Sequence, residues 1–120
     1  MEARTLELVF PSHANPRGNA FGGFVVGLMD KVGSYAAVRR AKKPVVTVAI
    51  GQVEFRVPIR VGDLLEVVAR VERVGRTSLT VRVEVYKERF HGDEDRVLAT
   101  HGELVYVAVD EEGRPVPVDS

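Results

Sequence analysis

The chain has 120 residues, 45% hydrophobic and 28% charged, and its 17 basic and 17 acidic side chains leave no net charge. That length holds one globular domain, 1–120, with no room for a second core, and the zero balance argues against a protein built chiefly to grip nucleic acid or an anionic membrane. The absence of Cys removes disulfides, thiolate metal sites and thiol nucleophiles, and is compatible with a reducing cytoplasm.

The first ten residues, MEARTLELVF, carry two Glu and one Arg and lack the apolar run of a signal peptide. Residues 5–10 are short and apolar enough for a first strand. Residues 11–19 (PSHANPRGN) are dense in turn formers, and Asn15-Pro16 and Gly18-Asn19 both disfavour regular structure. From 21 to 41 the pattern becomes helical. Phe24, Leu28, Val32, Tyr35 and Ala36 recur at helical spacing, while Val25, Val26, Met29 and Ala37 fill other faces. This predicts a helix about 30 Å long, apolar nearly all round and therefore buried. Its glycines, Gly22, Gly23, Gly27 and Gly33, lower helix propensity but let another backbone come close. Arg39, Arg40, Lys42 and Lys43 suit a solvated C-terminal helix end, and Pro44 stops the helix. The apolar stretch 21–38 is interrupted by Asp30 and Lys31. Each would cost about 2.5–3.5 kcal/mol at a bilayer centre, which excludes a membrane span.

After Pro44 the period becomes two. Residues 45–57 read as a long strand with Val53, Phe55 and Val57 on one face and Gln52, Glu54 and Arg56 on the other. Residues 58–63 (PIRVGD) turn the chain. Leu65, Val67, Ala69 and Val71 then alternate with Glu66, Arg70 and Glu72, Val68 breaking the polar side. Residues 74–77 (VGRT) turn it again, and Leu79, Val81, Val83 and Val85 alternate with Thr80, Arg82, Glu84 and Tyr86. Residues 91–95 (HGDED) read as a solvated loop, 97–109 as the last strand and 110–120 as turn and coil. His13, His91 and His101 show no metal-ligand spacing, so no metal site is expected.

One strand, one helix and four antiparallel strands give an α+β domain, a five-stranded antiparallel sheet wrapped around one long helix. One helix cannot cover both faces of five strands, so the outer face needs water or another subunit. With a Gly-rich helix apolar on all sides, the order predicts an obligate oligomer.

The run Asn15-Pro16-Arg17-Gly18-Asn19-Ala20-Phe21-Gly22-Gly23, followed by Leu28-Met29-Asp30, resembles the signature of hotdog-fold acyl-CoA thioesterases, in the branch of YciA-type enzymes and brain-type cytosolic acyl-CoA hydrolase. Further matches follow in register: Val46-Thr47-Val48, Phe55-Arg56-Val57-Pro58 with Gly62-Asp63, Val74-Gly75-Arg76-Thr77-Ser78, and Val107-Ala108-Val109-Asp110. The resemblance implies a cytoplasmic hydrolase that splits acyl-CoA into a free acid and coenzyme A without a further cofactor. It implies Asn15 and Asp30 as a catalytic pair from opposite subunits, a glycine amide at Gly22-Gly23 that polarises the thioester carbonyl, and coenzyme A contacts in the hairpin. It also implies a homo-oligomer of hotdog dimers, assembled as a hexamer (a trimer of dimers). Many such enzymes carry an acidic residue where His13 stands and another near Asn19, positions that flank the pocket.

The residues support alternatives beside each role. Helix N-terminal amides point outward unpaired and Gly admits a carbonyl closely, yet Phe21-Gly22-Gly23 also reads as a tightly packed helix start. Asp30 lies in the most apolar segment, where a carboxylate must be paired or hydrogen-bonded; it reads as general base, as nucleophile or as a structural bridge. Asn15 before Pro is an ordinary turn residue or orients water or substrate. Gly75, Arg76, Thr77 and Ser78 offer backbone, hydroxyl and guanidinium donors to a phosphate or form a solvent-facing turn. Gly23 and Asp30 are seven residues apart, about 10 Å along a helix, too far to serve one carbonyl. An antiparallel helix of a twofold mate would close that distance and make the site shared. A (de)hydratase acting on acyl thioesters and a non-catalytic acyl-CoA sensor are the competing functions. Phe21 stands where the former usually carries a catalytic His.

Overall fold

A computed structural model describes residues 1–89 and 95–120; His91 and the 91–95 loop, apart from Asp95, lie outside the described residues. The elements run β1 (Glu2–Leu8), a 3₁₀ turn (Pro11–His13), α1 (Gly22–Ala41), β2 (Val45–Phe55), β3 (Asp63–Val74), β4 (Ser78–Arg89) and β5 (Val97–Ala108). The five strands form one antiparallel sheet in the order β1-β3-β4-β5-β2. This is the hotdog arrangement, with α1 carrying the chain from one edge of the sheet to the other.

The core lies between α1 and one face of the sheet. Val25, Leu28, Met29, Val32, Ala36 and Ala37 pack onto Leu65, Val67, Leu79, Val81, Val83, Leu104 and Tyr106. The period-two patterns of β3, β4 and β5 therefore put alternate Val and Leu side chains against the helix. At Gly33 a Cβ would collide with the Tyr106 hydroxyl, so the glycine is what lets a tyrosine lie under the helix. Lys42 caps α1 in the left-handed region (φ 55°), its N–H donating to Val38 O at 2.7 Å, and Pro44 follows.

Four expectations are modified. The first strand is Glu2–Leu8 rather than 5–10, because pairing with β3 begins at Glu2 opposite Arg70, where the two side chains form an ion pair at 2.7 Å. Val9 already turns into the core, and Phe10 is exposed. The helix is not buried all round: Gly22, Gly23, Gly27, Lys31, Tyr35 and Val38 remain exposed, a stripe that this chain's own sheet does not cover. β2 stops at Phe55, and two register shifts interrupt it, after Thr47 and after Gly51; Gln52 sits at φ 51° in the second, which resets the alternation so that Val53 drops against Gly102. The basic helix end is not simply solvated. Arg40 binds Asp119 through two hydrogen bonds (2.8 and 3.1 Å), Arg39 donates to Glu2 O, and Lys43 donates to Pro117 O, Val118 O and Ser120 Oγ.

The outer face of the sheet carries a lattice of ion pairs: Arg4 with Glu2 and Glu66, Arg70 with Glu2 and Glu84, Arg73 with Glu103. These neutralise the face side chain by side chain, as water-facing strands do. β2 is different. It is a free edge exposed along almost its whole length, with Val46, Val48, Ile50 and Phe55 each 44–55% accessible. No helix among the described residues is long and apolar enough to cross a membrane.

Candidate active site

Residues 11–20 fold into a loop that is stitched to the start of α1. The Asn15 side chain organises it: Oδ1 accepts the N–H groups of Arg17 (3.0 Å) and Asn19 (3.1 Å), while the Asn15 and Gly18 amides close the turn on Asn19 O and Asn15 O, both at 2.9 Å. The carbonyl end of the amide is thereby committed to the loop. Nδ2 makes none of the hydrogen bonds among the described residues and is left to donate elsewhere. Asn15 is thus a turn former and an oriented donor at once.

His13 fastens this loop to the helix. Its carbonyl accepts the Phe21 N–H at 2.9 Å, its Nδ1 accepts the Phe10 N–H at 3.1 Å, and its ring stacks on Phe24 with centroids 4.0 Å apart. With Nδ1 accepting, the neutral ring carries its proton on Nε2.

Phe21 caps α1 without a side-chain hydrogen bond. The Phe24 and Val25 amides turn back to Phe21 O (3.1 and 3.2 Å), so the Gly22 and Gly23 amides, both on exposed residues, have no acceptor among the described residues. A Cβ on Gly23 would meet nothing within 4 Å, whereas one on Gly22 would touch the Phe55 ring at 3.5 Å. Tight packing within the chain therefore does not account for Gly23. Beside the helix start lies an open groove of about 510 Å³, walled mainly by Ala20, Gly22, Val25, Phe55, Val57 and Ile59.

Asp30 sits half-buried two turns further along α1. Its Oδ1 accepts from the Thr47 hydroxyl at 2.7 Å and from the Tyr106 hydroxyl at 3.1 Å, and Tyr106 also reaches Asp30 O at 2.8 Å. Burial, then the neighbouring Asp30 charge, pushes the Tyr106 phenol far above its ordinary value, so it remains a donor. Both donors fix the orientation of the carboxylate. Oδ2 takes no hydrogen bond among the described residues, which leaves one oxygen held and the other free for chemistry. Thr47 and Tyr106 were not assigned roles from sequence; the signals were the Val46-Thr47-Val48 match and a hydroxyl-bearing residue between aliphatic neighbours in β2 and in β5.

A single chain brings Asn15, Gly22 and Gly23 to one end of α1 and sets Asp30 along its side. It does not bring the hairpin there. Gly75 N–H closes the turn on Ser78 O (2.8 Å), Thr77 O accepts from Ala108 N–H, and Arg76 O accepts from Val118 N–H. Because residues 117–120 are in turn bound to Arg40 and Lys43, Gly75, Arg76, Thr77 and Ser78 lie at the C-terminal end of the helix, opposite Gly22. The Arg76 guanidinium makes none of the hydrogen bonds or ion pairs among the described residues.

Residues 17–89 match the model of the thioesterase superfamily. The YciA acyl-CoA thioester hydrolase of Escherichia coli is 35% identical over 116 residues, covering 93% of this chain and 88% of its own. A hexameric acyl-CoA thioesterase in its apo form superposes with a TM-score of 0.91 at 37% identity, covering 97% of this chain and 74% of that one. An acyl-CoA hydrolase of Staphylococcus aureus, solved with butyryl coenzyme A, coenzyme A and coenzyme A disulfide, gives a TM-score of 0.91 at 31% identity, covering 97% and 70%. Variants of that hydrolase solved with an Asn, an Asp or a Thr replaced by Ala have those three positions at the same intervals as Asn15, Asp30 and Thr47 here.

Proposed function

This chain belongs to the thioesterase superfamily, and from that premise we propose that it hydrolyses acyl-CoA to a free carboxylic acid and coenzyme A, with the catalytic groups supplied by two subunits. The observation that carries the reading is Asp30: a carboxylate with one oxygen anchored by Thr47 and Tyr106 on the flank of a helix whose start presents two unpaired glycine amides. Names of relatives at about 35% identity agree with the reaction, and the match in spacing to the Asn, Asp and Thr of the Staphylococcus aureus hydrolase agrees with the residues.

The thioester carbonyl oxygen approaches the Gly23 amide, with Gly22 beside it, where helix-end N–H groups stabilise the negative charge that develops on attack. Asp30 of the facing subunit takes a proton from water through Oδ2, and the water oxygen bonds to the carbonyl carbon. Asn15 Nδ2 orients the water or the substrate. The tetrahedral intermediate collapses with cleavage of the C–S bond, and the proton held on Asp30 passes to the departing coenzyme A thiolate. The same arrangement serves direct attack by Oδ2, which would form a mixed anhydride that water then opens. The groove beside Gly22 and Phe55 fits the acyl chain, and the Gly75-Arg76-Thr77-Ser78 hairpin, brought to the helix start by an antiparallel mate, supplies donors for coenzyme A phosphates.

The assembly belongs to the same proposal. The exposed β2 edge and the open helix stripe suit a twofold mate, and a trimer of such dimers would match the hexameric neighbour. No cofactor beyond the coenzyme A of the substrate enters the mechanism, and a cytoplasmic location goes with a Cys-free chain. Release of free thiol from acyl-CoA esters of increasing chain length tests the reading. Steady thiol release is expected. Acyl-CoA binding without thiol release would make the protein a sensor, and double-bond hydration of an enoyl-CoA would make it a hydratase.

A further inference from the structure

The loop bearing Asn15 has little secondary structure of its own, so something else must hold its shape. Its partner is the 58–63 turn. Ala20 N–H donates to Ile59 O at 2.7 Å, Val61 N–H donates to Gly18 O at 2.9 Å, and Asn19 bridges Arg60 in the backbone. The Arg60 guanidinium adds bonds to Asn19 Oδ1 (3.0 Å) and Arg17 O (3.3 Å). Arg17 and Asn19 are the two residues whose amides hold Asn15 Oδ1.

The turn is itself pinned by a carboxylate that water does not reach. Asp63 is fully buried. Its Oδ2 accepts the Arg60 N–H at 2.8 Å, its Oδ1 accepts from Arg89 at 2.8 Å, and Lys87 Nζ lies 3.3 Å from Oδ2. Those cations also hold the turn's carbonyls, Lys87 at Pro58 O (2.7 Å) and Arg89 at Val61 O (3.4 Å). A buried carboxylate is retained only where such partners compensate its desolvation. Here every partner lies in the turn or in the strand behind it.

We infer that Asp63, through Arg60, is a positioning residue for Asn15: it fixes the turn that sets the direction of the Asn15 amide, without touching substrate. The inference rests on the proposed role of Asn15. An Asn at 63 would put an NH2 donor in place of one carboxylate oxygen, against either Arg89 or the Arg60 N–H and Lys87, so the three donors could not all be satisfied. The turn would then shift, and displacement of a reacting group by a fraction of an ångström to 1 Å costs up to about 100-fold in rate.

The test is a double-mutant cycle on butyryl-CoA hydrolysis. Asn15→Ala, Asp63→Asn and Arg60→Ala are made singly, and each of the latter two is combined with Asn15→Ala. Asp63→Asn and Arg60→Ala are each expected to lower kcat by about 10-fold or more with KM within about twofold and full calorimetric stoichiometry for coenzyme A. In the Asn15→Ala background neither should lower kcat further, whereas a merely structural role would multiply the losses. Multiplying losses, or unchanged kcat in the single variants, overturn the inference while leaving Asn15 in place. Wild-type kcat in Asn15→Ala removes Asn15 itself, a separate result. Should Asp63→Asn not fold, Arg89→Met, which removes the donor to Asp63 Oδ1 and to Val61 O, takes its place in the cycle with the same outcomes.

Discussion

Thr47 and Asp30 meet across the open side of the molecule, the hydroxyl of the edge strand donating to the helix carboxylate at 2.7 Å. This bond joins β2, the strand the chain leaves uncovered, to the residue on which the proposed chemistry turns. Asp30→Ala should abolish turnover while leaving fold and oligomer intact, as judged by circular dichroism and light scattering. Activity retained in that variant would remove Asp30 from the mechanism. In a single turnover in ¹⁸O-water, label in the carboxylate of Asp30 marks a mixed anhydride opened at the Asp30 carbonyl; label in the product acid alone fits both a general base and an anhydride opened at the acyl carbon, which hydroxylamine capture of the acyl-enzyme separates.

Thr47→Val keeps the side-chain shape and deletes one of the two donors on Oδ1. Because Thr47 is exposed in the chain, stability should change little, while kcat falls by roughly 10-fold or more, the effect of about 1.4 kcal/mol or more of lost transition-state stabilisation. Thr47→Ser restores the donor and should recover most of the rate. Equal rates in the Val and Ser variants would show that the hydroxyl is not used.

Gly23 and Gly33 are predicted to fail in opposite ways. Space around Gly23 is open, so Gly23→Ala should hold or raise Tm through better helix propensity and still depress kcat/KM, since the methyl occupies the approach of the carbonyl. Gly33→Ala drives a Cβ into the Tyr106 hydroxyl. It should destabilise by about 1–3 kcal/mol and lower activity by loosening the Tyr106 bond to Asp30. Thermal melts and initial rates on both variants check the contrast.

If Asn15 and Asp30 act across a twofold axis, each inactive variant can supply what the other lacks. Asn15→Ala and Asp30→Ala subunits, co-refolded in equal amounts, should recover about one quarter of wild-type activity, from mixed dimers with one intact site of two. No recovery would place both residues in one subunit's site.

The pH dependence of stability has a definite sign. The Tyr106 phenol is raised by burial and by Asp30 above its ordinary value of about 10. The folded protein thus keeps a proton that the unfolded chain releases. The stabilisation is complete below about pH 10 and is lost as pH rises beyond it. Melts between pH 9 and 11.5 should fall more steeply for wild type than for Tyr106→Phe, and parallel curves would contradict the assignment.

Arg76→Ala is expected to raise KM for acyl-CoA more than it lowers kcat, because the guanidinium makes no hydrogen bond or ion pair among the described residues and its proposed contact is a phosphate remote from the carbonyl. Loss of kcat alone would contradict a binding role.

Period, turn chemistry and motif are local properties of the chain, and from them the order of elements, a helix over 21–41 that stops before Pro44 and the inward faces of β3 and β4 were legible, with Asn15, Asp30 and the glycine pair singled out as candidates. The same local cues overstated the burial of the helix, since an apolar residue reads alike whether its own sheet or another subunit covers it. Folding in three dimensions was needed to show that Thr47 and Tyr106 hold Asp30, that Gly33 makes room for Tyr106 while Gly23 faces open space, that the hairpin lies at the far end of the helix from Asn15, and that Asp63 pins the turn behind the Asn15 loop. Those relations join residues from 17 to 76 positions apart. They follow from strand order and register, which a period-two pattern leaves open.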